Sequence, residues 1–310
     1  MTTILYTHPA CLDHDTSPNH PESANRLRKI LEALESPKFD SLIRQEAPLA
    51  TLEQIQAIHP KEHVNSIFSK IPSSGYCKID ADTIVSMDSK EAALRSAGAV
   101  IAAVDSVMSK EANNAFCAIR PPGHHAETNR SMGFCLFNNI ALGAEHVMKT
   151  YGLKKIAVID FDVHHGNGTQ EIFMKNPNLF YASTHQSPLY PGTGNVTEIG
   201  PNKNIINCPL PPGSGSEEFR EAMYSLILPS LIEFAPQFLF ISAGFDAHIK
   251  DPLAQMELTN EDFAWITEKL CEVSEQCCFG RIVSALEGGY DLNALAEATA
   301  EHVETLMALS

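Results

Sequence analysis

The chain has 310 residues, 44% of them hydrophobic and 19% charged, which is enough for one large folded domain and excludes a disordered chain. Its formal net charge of −16 argues against direct binding to nucleic acid, whose phosphates would repel it. Eight cysteines without a Cys-x-x-Cys pair, no leader-like N-terminus and no apolar run of membrane-spanning length predict a cytoplasmic protein with reduced thiols and no membrane partner.

Short β-branched runs alternate with longer amphipathic segments along most of the chain. Strands are predicted at residues 4–6, 115–119, 156–160, 179–183, 205–208, 238–242 and 282–286. Helices are predicted from Glu22 to Leu34 and at 52–58, 61–68, 91–108, 138–148, 169–174, 217–234 with a late break at Pro229, 261–271 and 294–306, whereas 73–86 is irregular. This alternation predicts a single α/β domain over residues 1–310, with three layers and a mostly parallel central sheet between helices.

One stretch, residues 156–168, combines a strand pattern with polar residues that suit a metal ion. It reads Ile-Ala-Val-Ile-Asp-Phe-Asp-Val-His-His-Gly-Asn-Gly and begins as a buried parallel strand. Side chains alternate along a strand, so Asp160, Asp162 and His164 are expected on one side. Buried carboxylates are costly unless a positive charge compensates them, and this donor set suits zinc or a similar divalent ion. A polar cluster at a surface turn is the alternative interpretation.

Three further polar motifs follow predicted strands. They are Arg-Pro-Pro-Gly-His-His at 120–125, Ala-Gly-Phe-Asp-Ala-His at 243–248 and Glu-Gly-Gly-Tyr at 287–290. Each motif alone is common in turns. Ligands of open parallel sheets bind beyond the carboxyl ends of the strands, so the four motifs together predict one functional site at that edge.

The motifs supply the parts of a hydrolytic metal site. Asp162, His164 and Asp246 would provide three ligands and leave a fourth position open, as at catalytic zinc sites. Two carboxylate ligands neutralise most of the metal charge, so bound water is acidified less and a separate base is needed. The adjacent His124 and His125, on a proline-stiffened loop, are the candidates for that base.

Two more side chains complete the predicted site. Asp160 is expected to hold one of the histidines by its ring N–H. Tyr290, presented by two glycines, is expected to donate a hydrogen bond to an oxyanion. Together these groups predict metal-assisted hydrolysis of an amide or an ester.

The combination of motifs, from His-Pro-Glu at 20–22 and Arg26 to Tyr290, resembles the histone deacetylase family and in particular its class II-like branch. The resemblance covers nearly the whole chain and implies the arginase/deacetylase fold. It also implies a zinc-dependent deacetylase acting on N-acetylated amines, with acetyl-lysine of proteins or peptides as the expected substrate. An acetylpolyamine or another small acetylated amine is the alternative substrate, and a catalytically silent acetyl-lysine-binding module is the alternative of another class. A homo-oligomer remains open.

The resemblance also implies roles at matching positions. Zinc would be held by Asp162, His164 and Asp246, with His125 as general base, His124 as its electrostatic partner oriented by Asp160, and Tyr290 polarising the acetyl carbonyl. The substrate tunnel would involve Gly133, Phe134, Tyr190, Leu253 and Gly288, with Asp80 as the rim carboxylate and Arg26 near an internal acetate exit. A structural potassium ion would lie near Asp160, Asp162, His164, Ser183 and Thr184.

Three positions discriminate within the family. Asn167 stands where class I members carry an aspartate, and an amide can orient His125 without stabilising its cation, so His125 is expected to stay neutral. Asp160, by contrast, should favour the charged form of His124. Gly166 replaces the third acid of a dimetal Asp-x-His-x-Asp run, which favours a single divalent ion. At position 253, polyamine-selective relatives carry an acid where this chain has leucine.

Overall fold

A wholly parallel eight-stranded sheet organises the computed structural model, which describes residues 2–308. The strands in chain order are β1 (Thr3–Thr7), β2 (Ile43–Glu46), β3 (Cys77–Lys78), β4 (Ile84–Val85), β5 (Asn114–Cys117), β6 (Ile156–Asp160), β7 (Leu179–Gln186), β8 (Ile205–Leu210), β9 (Phe238–Ala243) and β10 (Ile282–Leu286). The order across the large sheet is β2-β1-β5-β10-β9-β6-β7-β8, and β3 and β4 form a separate antiparallel hairpin. This topology confirms the predicted α/β architecture with a parallel central sheet.

Helices cover both faces of the sheet. In chain order they are α1 (Ala10–Asp13), α2 (Ala24–Ala33), α3 (Leu52–Ile55), α4 (Lys61–Ser69), α5 (Ser89–Met108), α6 (Asn139–Tyr151), α7 (Asn167–Phe173), α8 (Ser216–Ala222), α9 (Leu228–Phe234), α10 (Asn260–Cys278) and α11 (Leu292–Ala308), with a 3₁₀ turn at Pro37–Phe39. Within residues 2–308, no helix is both long enough and apolar enough to cross a membrane.

The two faces of the sheet bury separate hydrophobic clusters. On one face, α5 and α6 pack on β-strand side chains such as Val158 and Phe240. On the other, α2, α10 and α11 pack on the alternate residues, among them Ile159 and Ile241. The strands at the centre are therefore apolar on both sides, which explains the continuous apolar runs of their sequences.

The four polar motifs follow four adjacent strands. β5, β10, β9 and β6 are neighbours in the sheet, and all of them run in the same direction. The segments after them, 118–125, 287–290, 244–248 and 161–168, therefore emerge side by side at one edge. After β6 the chain continues to β7 and β8 on one side of that strand, and it then crosses back to β9 on the other side. Such a reversal of strand order is the usual place for a ligand in a parallel sheet.

Three local features differ from the sequence-based expectations. β2 was not predicted, because all four of its residues are exposed and it carries no apolar pattern. The irregular stretch 73–86 contains the β3–β4 hairpin. The helix over 217–234 does not break at Pro229; instead a π-helical turn, Met223–Ile227, precedes the proline, and its wider backbone accommodates the missing N–H.

A buried ion cluster joins α2 to two of the motif-bearing loops. The carboxylate of Glu22 accepts from the guanidinium of Arg120, with one contact of 2.7 Å, and from Nη1 of Arg26 at 3.1 Å. All three side chains are fully buried. Burial raises the pKa of Glu22, but Arg120 and then Arg26 outweigh it and lower the pKa to about 2. Arg120 precedes the loop that carries His124, and Arg26 donates to main-chain oxygens of Glu287 and Gly289. The cluster therefore stabilises the positions of two loops that carry polar motifs.

We expect Glu22→Gln to lower the free energy of unfolding by about 3–5 kcal/mol, because it leaves two buried guanidinium groups without their counter-charge. Urea denaturation measures the change. Glu32→Gln, which removes an exposed partner of Lys29, is the control and should leave the unfolding midpoint nearly unchanged.

The same cluster predicts a pH dependence. Because the folded-state pKa of Glu22, about 2, lies below its ordinary value of 4.5, its contribution is present above pH 4.5 and is lost as the pH falls towards 2. The difference between the wild type and Glu22→Gln should therefore shrink over that range. A Glu22→Gln protein that unfolded at the wild-type urea concentration would contradict the assigned role of the cluster.

Candidate active site

Three predicted metal ligands converge at the edge of the sheet. Nδ1 of His164 lies 3.1 Å from Oδ1 of Asp162 and 3.1 Å from Oδ2 of Asp246. Ligand atoms of the three residues all lie within 4.8 Å of one another, and all three side chains are buried. Burial lowers the pKa of His164, but hydrogen bonds to Asp162 and Asp246 raise it to about 10, so the two carboxylates strongly favour a positive charge. Two carboxylates and one imidazole in this arrangement fit one zinc-like divalent ion.

Backbone groups fix the two carboxylates. Main-chain N–H groups of His164 and Gly288 donate to Asp162 at 2.8 and 2.7 Å, and that of Val163 donates to Asp246 at 2.9 Å. A Cβ on residue 288 would collide with the carboxylates of Asp162 and Asp246, so only glycine allows this approach. Gly288 therefore allows its backbone to approach the predicted metal ligands, and it also lines the cavity, as the sequence predicted.

His248, where a dimetal site would have a second acid, does not join the group. Its ring stacks on Phe263 with centroids 6.4 Å apart, and its Nδ1 accepts from the N–H of Lys250. Within residues 2–308, the group of possible metal ligands is Asp162, His164 and Asp246, and the single divalent ion stays a prediction.

His124 contacts Asp160 as expected. Its Nδ1 lies 3.0 Å from Oδ2 of Asp160, which also accepts from the hydroxyl of Tyr181 at 3.0 Å. Burial lowers the pKa of His124, but the charges of Asp160 and Asp162 outweigh burial and hold the pKa well above 6.5. These neighbours therefore favour the charged form of His124.

His125 contacts Asn167 and has the opposite character. Its Nδ1 lies 2.9 Å from Oδ1 of Asn167, at the beginning of α7. Burial, and then the positive charges of His124 and His164, hold the pKa of His125 well below 6.5. The two rings are only 4.0 Å apart, so one charged neighbour disfavours a second charge. The neutral His125 expected from the sequence is thus supported by its surroundings.

A fourth carboxylate, that of Glu287, holds the histidine loop, and the sequence did not predict this role. Its Oε2 accepts from the main-chain N–H groups of Gly123 at 2.7 Å and His124 at 3.1 Å. Burial raises the pKa of Glu287 to about 7. The motif containing Glu287 was recognised, but a role in accepting backbone N–H groups leaves no local pattern.

A cavity of about 250 Å³ leads to these groups. Its lining includes the predicted tunnel residues Gly133, Phe134, Tyr190, Leu253 and Gly288, together with His124, His125, His164 and Tyr290. The ring of Tyr190 meets that of His125 edge to face at 5.2 Å. Gly133 has φ +56°, and a Cβ there would strike the His125 ring, so the glycine lets the tunnel wall pack directly on the histidine.

Tyr290 is held from two sides. Its main-chain N–H donates to Oδ2 of Asp251 at 2.7 Å, and the guanidinium of Arg26 lies 4.9 Å from its ring centroid. Burial holds the pKa of Tyr290 well above 10 although Arg26 lowers it, so the phenol keeps its proton and can donate it in a hydrogen bond. Arg26 thus packs over the ring of Tyr290, and its role near an acetate exit stays a prediction.

Asp80, which was predicted as the rim carboxylate, is not among the residues that line the cavity. Asp80 contacts Nη2 of Arg130 at 3.2 Å and the N–H of Ala81, and the residue that lines the cavity is Asp82. The two aspartates belong to the turn of the β3–β4 hairpin, where strand alternation does not decide which side chain faces the site. Asp82 is therefore the better-placed carboxylate.

The residues implied for a potassium ion lie on two neighbouring strands and in the loop after one of them. Asp160 on β6 is paired in register with Ser183 on β7, and Thr184 follows on the same strand. These residues and the ligands Asp162 and His164 are all buried.

Comparison with known proteins agrees with this geometry. The family described as "Histone deacetylase domain" matches residues 20–306. A "Probable deacetylase" of Archaeoglobus fulgidus is 40% identical, over 94% of this chain and 82% of that protein. "Histone deacetylase 14, chloroplastic" of Arabidopsis thaliana is 38% identical over 98% and 76%, and a "Histone deacetylase-like amidohydrolase" of Pseudomonas aeruginosa is 37% identical over 91% and 74%.

A solved structure extends the similarity to the fold. The crystal structure of the HDA15 HD domain superposes with a TM-score of 0.93 at 32% identity, covering 99% of this chain and 88% of that one. The fold, the motifs and the relatives agree along nearly the whole chain. This chain therefore belongs to the histone deacetylase family and is a hydrolytic deacetylase.

Proposed function

We propose that this protein is a zinc-dependent deacetylase that removes acetyl groups from lysine side chains of proteins or peptides. The observation that carries the proposal is the floor of the cavity, where the buried Asp162–His164–Asp246 group lies beside His125 and Tyr290. A divalent cation held by the three ligands would polarise the acetyl carbonyl and acidify the attacking water.

The chain's own groups supply the proton transfers and the charge stabilisation. Neutral His125, with Nδ1 bonded to Asn167, offers Nε2 as the base that takes the proton of the water and passes it to the leaving amine. Charged His124 stabilises the negative charge that develops in the site. The phenol of Tyr290, which lines the same cavity, donates a hydrogen bond to the oxyanion.

The tunnel suits a long aliphatic stem. Phe134 and Tyr190 present aromatic surfaces to the cavity, and Leu253 adds an apolar contact at its lining. Such walls bind methylene groups and leave the amide to the polar floor. Asp82 and the net charge of −16 favour a cationic substrate, so an acetylpolyamine is the second candidate.

Two further assignments belong to the same proposal. A potassium ion near Asp160 and Ser183 would add positive charge beneath the site, where the buried acids need it. A reducing compartment, the cytoplasm, fits the eight cysteines, all of which are free thiols.

Metal analysis tests the single-ion assignment. We expect one tightly bound divalent ion per chain in zinc-reconstituted protein, because the group of possible ligands within residues 2–308 contains Asp162, His164 and Asp246 but not His248. Asp246→Ala should lose that ion. Two tightly bound divalent ions per wild-type chain would contradict the assignment, whereas a monovalent ion would not.

Tyr290→Phe should lower kcat on an acetyl-lysine peptide by on the order of a hundredfold and change KM much less, because the phenol acts on charge that develops during the reaction. His125→Ala should be at least as damaging and His124→Ala less so. Tyr151→Phe is the matched control, because the hydroxyl that it removes bonds to Asp105 and Tyr151 is not among the residues that line the cavity. Near-normal turnover by Tyr290→Phe would show that the oxyanion role is wrong.

Leu253→Glu should shift preference from an acetyl-lysine peptide towards acetylspermidine by roughly tenfold to a hundredfold in the ratio of kcat/KM. A partly desolvated pair between the new carboxylate and the distal ammonium is worth about 1–3 kcal/mol. The global charge matters less, because exposed charges are screened beyond about 10 Å. Leu253→Met keeps an apolar side chain of similar volume and should keep the wild-type ratio. A wild type that prefers acetylspermidine, or an unmoved ratio in Leu253→Glu, would refute this selectivity.

A further inference from the structure

The amide of Asn167 lies between His125 and a carboxylate that the mechanism above does not use. Its Oδ1 is 2.9 Å from Nδ1 of His125, and its Nδ2 donates to Oε1 of Glu127 at 2.8 Å. Nδ2 also contacts the sulfur of Met132 at 3.4 Å. Every polar atom of the amide therefore has a partner, and the histidine and the glutamate lie at opposite ends of one hydrogen-bonded chain.

Glu127 decides which way the amide faces. A carboxylate accepts hydrogen bonds only, so a flipped amide would bring its oxygen to 2.8 Å from another acceptor oxygen. The observed orientation presents Oδ1 to His125, which must then carry its proton on Nδ1. The lone pair of Nε2 is left free, as a base requires.

The glutamate and the asparagine are held at a fixed separation. Glu127 lies two residues after His125, and its N–H donates to the carbonyl of Arg130 at 2.9 Å. The next residue, Thr128, bonds through its N–H at 3.0 Å and its hydroxyl at 2.6 Å to Glu171 of α7. Asn167 begins that same helix, so the loop and the amide move together.

We propose that Glu127 is a positioning residue that selects the Nδ1–H tautomer of His125 by orienting the amide of Asn167. The inference rests on the proposed role of His125 as general base. An aspartate at position 167 would present an oxygen in either orientation and would need no such partner. An asparagine has one acceptor and one donor end, so the second residue is required.

The test compares Glu127→Met, which removes the acceptor at similar length, with Glu127→Gln, which keeps one acceptor oxygen. On an acetyl-lysine peptide, Glu127→Met should lower kcat about tenfold with little change in KM, as expected for losing one hydrogen bond to a charged group. Glu127→Gln should retain most of the turnover. Loss in Glu127→Gln equal to that in Glu127→Met would overturn the proposal.

Repeating the Glu127 substitution in a second background separates an effect on the orientation of the Asn167 amide from a general effect on the structure of the loop. In an Asn167→Asp background, Glu127→Met should leave kcat unchanged or raise it, because the acceptor for His125 no longer depends on a flip and two adjacent carboxylates repel. An equal loss in both backgrounds would overturn the proposal. Glu32→Met, the same substitution at an exposed residue that pairs with Lys29 on α2, is the matched control and should keep wild-type turnover.

Nitrogen-15 spectra of histidine-labelled protein give a readout that a merely structural role would not move. The His125 signals, assigned with His125→Ala, should report the Nδ1–H tautomer in the wild type and a tautomer mixture in Glu127→Met. An unchanged tautomer in Glu127→Met would overturn the inference. If His125→Ala is inactive while these Glu127 results fail, only this inference falls, whereas an active His125→Ala would overturn the proposed base itself.

Discussion

The compensation of buried negative charge at the ends of four adjacent strands is the constraint on which the rest of the structure depends. Asp160, Asp162, Asp246 and Glu287 are all buried there, and an unpaired buried ion costs several kcal/mol. Their partners include main-chain N–H groups and His124, and several of these contacts join one loop to another. The contacts that join different loops require β5, β10, β9 and β6 to be neighbours, so the geometry of the site depends on the strand order of the sheet.

Neighbouring charges also explain why the adjacent rings of His124 and His125 are expected to have different roles. His124 faces a carboxylate and His125 faces an amide, although the rings are 4.0 Å apart. The cation favoured at His124 lowers the pKa of its neighbour further, so each partner reinforces the difference that the other creates. The contrast between the carboxylate of Asp160 and the amide of Asn167 thus favours the charged form of His124 and the neutral form of His125.

The sequence predicts the central strands, which are buried on both faces of the sheet, but it does not predict a strand that depends on pairing with a neighbour. β6 and β10 have the predicted bounds because continuous apolar runs mark central parallel strands. β2, with all of its residues exposed, is a strand only because β1 pairs with it. The residues of the four motifs come together as expected. At the hairpin, however, Asp82 and not Asp80 lines the cavity, because side chains in a turn do not follow the alternation of a strand. Glu127, Asp251 and Glu287 were missed because they bind groups distant in sequence or on the backbone.

Asp251 shows how substrate choice and turnover are tied together. Its Oδ1 accepts from the N–H of Leu253 at 2.9 Å and its Oδ2 from the N–H of Tyr290 at 2.7 Å. One buried side chain therefore fixes both the apolar contact at the cavity lining and the proposed oxyanion donor on its floor. Because the two bonds end on the same carboxylate, a displacement of the 251–253 loop must be shared by Tyr290. A substitution in that loop should consequently change kcat together with selectivity, rather than selectivity alone.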